Sequence, residues 1–175
     1  MKPILPILFI IISSLSIAAP AFADPDENDV RIAARMLSFL EKPLTGPLRV
    51  GIVVAVDDPH SSSDAAALSK FMESGVGVTG LSLIPVLVPV EDVDRAKVDL
   101  LFLTDGVGER GSKVGDAARA EHIPCITLDI DQVRNGNCAI GIKSDPRVEI
   151  LVNHDAASRS GVDFAGAFKM LVTEF

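Results

Sequence analysis

The segment Asp57-Asp58-Pro59-His60 contains residue types that bind divalent cations, and Asp64 follows four residues later. Carboxylate oxygens and imidazole nitrogens are common metal ligands. Asp and Pro are also the residues that begin turns and cap helices, and here they are consecutive. The turn interpretation is therefore favoured. We predict no metal site, and we keep the segment as a candidate ligand loop.

A glycine pattern, Gly106-x-Gly108-x-x-Gly111, follows an apolar run and precedes a predicted helix. In dinucleotide-binding proteins such glycines let the backbone approach a pyrophosphate, and an acid placed like Asp129 binds the ribose. That fingerprint normally follows the first strand of the fold, whereas this pattern follows the third. A flexible turn is the favoured interpretation, so no cofactor is predicted. A small anion bound by this loop, which begins at Asp105, is the alternative.

The sequence contains no recognisable catalytic constellation. The three histidines, His60, His122 and His154, are scattered along the chain. None of them pairs with a Ser or Cys nucleophile at a familiar spacing. The patterns G-x-S-x-G, H-E-x-x-H and S-x-x-K are absent. We therefore predict that the protein is not an enzyme.

The first 23 residues have the three-part pattern of a secretory signal peptide. Lys2 supplies a positive charge, an apolar run covers residues 4–17, and Ala21-Phe22-Ala23 matches an A-x-A cleavage site. A membrane span needs roughly 20 apolar residues, so this run is short for one. An uncleaved anchor is the alternative. We predict cleavage after Ala23, which leaves residues 24–175 as one periplasmic domain.

Two cysteines, Cys125 and Cys138, lie in strand-like sequence on either side of the Asn135-Gly136 turn signal. An even cysteine count in an oxidising compartment favours a disulfide. Closing a loop of this size contributes about 3 kcal/mol in the chain-entropy description. Two buried free thiols are the alternative.

Composition excludes several classes of partner. The chain has a formal net charge of -8 at pH 7. Nucleic acids and anionic lipids both require a basic surface, so neither is an expected partner. The chain also has no Trp and no Tyr, so stacking platforms for sugars or bases are scarce.

Apolar runs alternate with helical patterns along the chain. This alternation predicts a single three-layer α/β domain with a mostly parallel sheet. Pro85 places the second strand at an edge or a bulge. The Ser144-Asp145-Pro146 turn predicts a C-terminal antiparallel hairpin, and a helical tail broken at Gly161 is expected over residues 155–172. The predicted strands cover residues 48–56, 81–90, 98–103, 123–129, 138–143 and 147–153, and the main helices before the tail cover 29–42, 61–74 and 111–121.

Three segments of the C-terminal third form a pattern, namely Cys138-Ala-Ile-Gly-Ile, Arg147-Val-Glu-Ile-Leu-Val-Asn153 and Asp155-Ala-Ala-x-x-x-Gly161. This pattern resembles the closing signature of the YfiR-like periplasmic family. Further upstream, Asp99-Leu-Leu-Phe-Leu103 resembles the family's "D-x-L-F-L" strand. Three segments depart from the family pattern, and one of them is Asn153-His154 in place of the family's Asn-Leu. The first helix ends in Glu41-Lys42-Pro43 instead of Glu-Trp-Pro, and residues 164–172 lack the usual Ser-Ser-x-Leu-Leu.

The resemblance implies a divergent member of a family of exported regulators. Its fold is similar to half of a periplasmic binding protein. Its best-known member represses a membrane-bound diguanylate cyclase by binding the periplasmic sensor domain of that enzyme. The implied partner is thus the outer domain of a membrane-bound cyclase, sensor or kinase. Homodimer formation is left as an alternative. The alternative function is a small-molecule or anion-binding module that uses the two candidate loops.

Overall fold

The computed structural model describes residues 24–75, 80–144 and 146–175. The predicted signal peptide lies outside these ranges. Among the described residues, no helix combines the length and the apolar character that crossing a bilayer requires. The strands are β1 (Gly46–Val54), β2 (Leu81–Pro89), β3 (Leu100–Leu103), β4 (Cys125–Thr127), β5 (Ile140–Lys143), β6 (Glu149–Val152) and β7 (Thr173–Glu174). The α-helices are α1 (Glu27–Leu37), α2 (Pro59–Glu73), α3 (Gly111–Glu121), α4 (Ile130–Arg134), α5 (His154–Arg159) and α6 (Gly166–Lys169), and 3-10 helices cover Val90–Arg95 and Gly108–Arg110.

The seven strands form one sheet in the order β2-β1-β3-β4-β5-β6-β7. Neighbouring strands are parallel except for the β5–β6 hairpin, which is antiparallel. The predicted α/β class, mostly parallel sheet and C-terminal hairpin are therefore confirmed. β2 is an edge strand, and its Pro85 pairs with Val50 on one side only. An edge is where a residue without an N–H group can be accommodated.

Alternate residues of the central strands pack on opposite faces of the sheet, because strand side chains alternate. In β3, Phe102 packs in a cluster with residues of α1 and α2. Its neighbours Leu101 and Leu103 pack in a second cluster with residues of α3. A strand that is buried on both faces needs apolar residues at every position, which explains the unbroken apolar runs.

Cys125 in β4 and Cys138, just before β5, form a disulfide with their Cα atoms 4.8 Å apart. Both residues are buried in the cluster on the α3 face. β4 and β5 are neighbours in the sheet, so the disulfide links two adjacent strands, as the sequence predicts.

In the C-terminal tail, the predicted break at Gly161 is confirmed, but the predicted extent of the helices is wrong. The two helical pieces are the short helices α5 and α6, an extended segment separates them, and β7 follows. The backbone N–H of Ala165 donates to the carbonyl of Phe39 at 2.9 Å, and Leu40 forms a β-bridge with Phe164. These contacts with the chain just after α1 replace helical hydrogen bonds and hold the segment extended.

Candidate functional site

The turns after β1 and β3 lie where the strand order of the sheet reverses. β1 is placed between β2 and β3, so the chain leaves β1 toward one edge and β3 toward the other. In open α/β sheets, ligands bind in the crevice outside the carboxyl ends of the strands at such a point. We name this region the strand-end crevice and define it by its acidic and imidazole side chains, Asp57, Asp58, His60, Asp64 and Asp105.

Asp58 caps helix α2 and packs against Gly106. Its Oδ1 accepts hydrogen bonds from the backbone N–H groups of His60 and Ser61, at 2.8 and 2.9 Å. Pro59 is the first residue of the helix, a position where its missing N–H is harmless. Gly106 has a φ of +79°, and a Cβ atom there would lie 2.8 Å from the Asp58 carboxyl carbon. The Asp58 carboxylate is thus committed to the cap, and it places the loop after β3.

Asp57 is exposed and pairs with Arg110. The guanidinium Nη1 lies 2.8 Å from Asp57 Oδ1 and 3.3 Å from Glu91 Oε1. The hydrogen bond from Arg110 is the main reason that the pKa of Asp57 is lowered. Lys113, the next cation along the chain, lies in α3, and its Nζ is 3.6 Å from Asp94 Oδ1. Both cations are therefore paired with carboxylates within the protein.

The glycine loop packs on helix α4. Gly108 has a φ of +59°, and its carbonyl accepts a hydrogen bond from Gln132 Nε2 at 3.1 Å. A Cβ atom at Gly111 would overlap Oε1 of the same glutamine. Gln132 was not singled out in the sequence, and its side chain fills the space beside the third glycine.

Two buried hydroxyl groups join the loops of the crevice, and the sequence did not identify them. Ser61 Oγ accepts from the backbone N–H of Ala55 at 2.9 Å and lies 2.6 Å from Thr104 Oγ1. Thr104 in turn donates to the carbonyl of Val53 at 2.8 Å. Asp58 is the N-cap residue of α2, so the Ser61 hydroxyl group is not needed for that role. The hydroxyl chain fixes the end of β1 against the end of β3.

Asp64 is a buried acid, 3% exposed, one helical turn after His60. Its Oδ2 lies 3.9 Å from His60 Nε2. Burial raises the pKa of Asp64, while the charge of His60 and the backbone N–H of Asp105 act in the opposite direction. The side chain thus lies beside the segment that follows β3.

Asp105 is the most perturbed group of the crevice. It is 6% exposed, and its Oδ1 accepts no hydrogen bond within the described part of the chain. Burial raises its pKa to about 6, and the charges of Asp129 and Asp64 add to the effect. A buried, unpaired carboxylate oxygen of this kind marks a functional-site candidate.

The N-terminal segment reaches the same crevice. Asp24 offers a carboxylate oxygen close to the ligand atoms of His60 and Asp64, in a group that could hold a metal ion. The next residue, Pro25, lines a small cavity together with Asp64 and Asp105. No local signal in the sequence connects Asp24 with residues 36 and 40 positions later, so its place in the crevice was not predicted.

A larger cavity of about 480 Å³ lies at the amino end of the strands. Its walls include Leu44, which precedes β1, and Pro124, which precedes β4, together with His122 and Asp163. It is the roomier site, but Asp105, a buried acid with an unpaired oxygen, lies at the opposite end of the sheet. We place the candidate site at the strand-end crevice because buried charge is the more specific sign of function.

Comparisons with known proteins identify a fold but no family. No protein-family model and no curated protein matches this chain. A conserved domain protein from Vibrio cholerae O1 biovar eltor is 14% identical to this chain, with a TM-score of 0.60. The match covers 85% of this chain and 59% of the Vibrio protein. The ABC domain from Streptococcus pneumoniae, solved in complex with L-Trp, is 10% identical, covering 83% and 59%, with a TM-score of 0.59. The chain thus spans about three-fifths of both structures, and the likeness concerns the α/β fold alone.

Proposed function

We propose that this chain is an exported, non-enzymatic regulator that binds the outer domain of a membrane signalling protein. The partner class that we propose has a diguanylate cyclase or kinase output, and binding holds that output low. The sequence supports the proposal through its YfiR-like C-terminal residues and through the lack of a catalytic constellation. The disulfide between Cys125 and Cys138 is compatible with an oxidising compartment.

One observation carries the proposal, namely an apolar surface formed by Phe39, Met170 and Leu171, which we call the C-terminal surface. Met170 is 83% and Leu171 75% exposed. The rings of Phe39 and Phe168 stack with their centroids 4.6 Å apart. Leu171 donates its backbone N–H to the carbonyl of Phe168 at 2.8 Å, so the exposed pair follows the stack directly. Neighbouring exposed apolar side chains are typical of protein interaction sites.

The C-terminal surface also joins two of the three segments that depart from the family pattern, namely residues 41–43 and 164–172. Glu41, in the first segment, donates its backbone N–H to the carbonyl of Asp163 at 2.9 Å, just before the second segment. A regulator that recognises a partner of its own is expected to differ from its relatives where the partner binds. The two departures, which are far apart in sequence, therefore support one recognition surface.

Regulation by binding requires a preference between two states of the partner. A regulator shifts an equilibrium only by its differential affinity for the two states. Each tenfold preference is worth about 1.4 kcal/mol, so strong repression needs a preference of several powers of ten. If only one state of the partner buries Met170 and Leu171, only that state gains the free energy of removing these apolar side chains from water. This difference provides the preference.

The test compares two variants in their binding to the isolated outer domain of a captured membrane protein. Met170→Glu combined with Leu171→Glu is expected to weaken binding at least tenfold, because two charges replace apolar contacts. Leu87→Glu is the matched control, since Leu87 is 59% exposed but lies on the edge strand β2, far along the sheet from β7. All proteins should unfold at the same urea midpoint.

Two outcomes would contradict the proposal. One is that cross-linking in intact cells recovers no membrane protein with a cyclase or kinase output. The other is that the double variant and the Leu87→Glu control bind the outer domain equally well.

A second candidate function is the binding of a small ligand in the strand-end crevice. The crevice lies where the strand order of the sheet reverses, and this position favours ligand binding. A structure of similar fold was solved in complex with L-Trp. Because Asp64 and Asp105 are buried there and Arg110 is already paired, a cationic ligand suits the crevice better than the anion considered from the sequence. A thermal-shift comparison of small cations and anions tests this candidate, and stabilisation by anions alone would contradict it.

A further inference from the structure

Three side chains converge at the strand-end crevice from two separate parts of the chain. Asp24, His60 and Asp64 each present one ligand atom, and these atoms all lie within 4.8 Å of one another. His60 and Asp64 lie four residues apart on α2, a spacing that places both on the same side of a helix. Asp24 comes from the segment that precedes α1.

We propose that Asp24, His60 and Asp64 bind a divalent transition-metal ion, for which Zn²⁺ is the probe. The proposal rests on the second candidate function, which it deepens by naming the ligand. It is independent of the regulator proposal, because the C-terminal surface shares no residue with the strand-end crevice.

Asp105 provides a separate reason to place a cation here. Its Oδ1 is buried and accepts no hydrogen bond among the described residues, and Asp105 lines the same small cavity as Asp64 and Pro25. The charges of Asp64 and His60 both act on its carboxyl group. Burying a charged oxygen without a partner is costly. A metal ion, or a water molecule bound to it, supplies the missing partner.

The charge of the cluster is also unbalanced. The carboxylates of Asp24, Asp64 and Asp105 share one imidazole, that of His60. Even a protonated His60 offsets only one of these three negative charges. A divalent cation brings the cluster close to neutrality without a further side chain.

The donor set determines which metal ions fit. One imidazole nitrogen with two carboxylate oxygens suits zinc and its first-row neighbours better than Mg²⁺, which prefers oxygen ligands alone. Three protein ligands leave a fourth position open, as in zinc sites that bind water or an incoming group. Ligands about 2.1 Å from a tetrahedral zinc ion lie about 3.4 Å apart. Asp24, which is exposed, can make the small approach required, while Asp64 stays fixed in its buried position.

The test measures Zn²⁺ binding by isothermal titration at pH 7. The protein is expressed with residues 1–175, purified without a polyhistidine tag and stripped of metal with a chelator. We expect one binding site, weakened at least tenfold by His60→Gln and by Asp64→Asn. Asp24→Asn should also weaken binding. Because Asp24 is exposed, this variant should fold as stably as the unmodified protein, so its loss of binding cannot be attributed to misfolding.

Matched controls separate this site from the remaining acidic surface. His154→Gln removes another histidine close to an acid, since its Nδ1 lies 3.5 Å from Glu174. Asp116→Asn removes an exposed acid of α3 that does not belong to the strand-end crevice. Neither variant should change the Zn²⁺ affinity by more than about twofold.

The proposal is overturned if Zn²⁺ does not bind, or if Asp24→Asn and His60→Gln bind it as tightly as the unmodified protein. Stabilisation by 1,4-diaminobutane without any binding of Zn²⁺ would also overturn the metal assignment, while the second candidate function would stand. Capture of the membrane partner is measured separately, in the presence of chelator, so its result distinguishes failure of the regulator proposal from failure of this one.

Discussion

The strand-end crevice and the C-terminal surface differ in how their side chains are held. In the crevice, hydrogen bonds fix Asp58, Ser61 and Thr104, and those of the two hydroxyl groups are buried. On the C-terminal surface, Met170 and Leu171 extend into solvent from a short turn. A fixed polar site suits a small ligand, because its side chains lose little conformational freedom when the ligand binds. Exposed and flexible apolar side chains such as Met suit a protein surface to which they can adapt.

Gly106→Ala tests how rigid the crevice is, and it has the largest expected effect. We expect a loss of about 3 kcal/mol of stability, from left-handed backbone strain together with disruption of the Asp58 cap. The reason is that Gly106 has a φ of +79° and its Cβ would meet the Asp58 carboxyl group. Urea unfolding measures the loss.

Gly108→Ala is the control for Gly106→Ala. Gly108 has a φ of +59° in the same loop, but nothing lies within 4 Å of a Cβ atom placed there. The Gly108→Ala variant should lose only the stability that left-handed backbone strain costs, about 1 kcal/mol. Equal losses in the two variants would show that contact with Asp58 does not restrain the crevice.

Asp105→Asn tests whether the crevice holds unfavourable charge. The pKa of Asp105 is raised from 3.8 to about 6 in the folded protein, so the folded state binds this proton more tightly than the unfolded state does. The stability that protonation contributes is therefore present near pH 4 and lost as the pH rises through 6. Measured with chelator present, Asp105→Asn should be more stable than the unmodified protein by about 2 kcal/mol at pH 7.

The gain from Asp105→Asn should shrink toward zero near pH 4, where the original carboxyl group is protonated as well. Asp57→Asn, at the exposed side of the same crevice, should show no gain at pH 7, because Arg110 favours the charged form of Asp57. A gain for Asp105→Asn that does not change between pH 4 and 7 would rule out charge as its cause.

Ser61→Ala tests the hydroxyl chain and has the smallest expected effect of the three. Removal of Ser61 Oγ leaves the backbone N–H of Ala55 without its partner. We expect a loss of about 1 kcal/mol, measured by urea unfolding. Ser62→Ala, at an exposed position in the same turn of α2, should cost less than half as much. If the two variants are equally stable, the hydroxyl chain does not hold the strand ends together.

Local signals made the crevice partly predictable from the sequence. Asp58 followed by Pro59 indicates a helix start through capping and a fixed φ, and both act within a few residues. The predicted helix over residues 111–121 matches α3. Unbroken apolar runs identified the strands that are buried on both faces, and hence the mostly parallel sheet.

The parts that could not be predicted depend on contacts between distant segments. Asp24 meets His60 only because α1 packs on the same face of the sheet as α2. Thr104 meets Ser61 only because β3 pairs with β1. The tail over residues 155–172 has helical composition, but its contacts with Phe39 and Leu40 outweigh that preference. Helix propensity is a weak guide where such contacts form.

The disulfide between Cys125 and Cys138 has a kinetic consequence. Both cysteines are almost completely inaccessible to solvent, and exchange requires that a thiolate reach a sulfur atom. A reductant can therefore act only during a transient separation of α3 from the sheet or of β4 from β5. The rate of disulfide reduction under native conditions therefore reports how often the centre of the sheet opens locally.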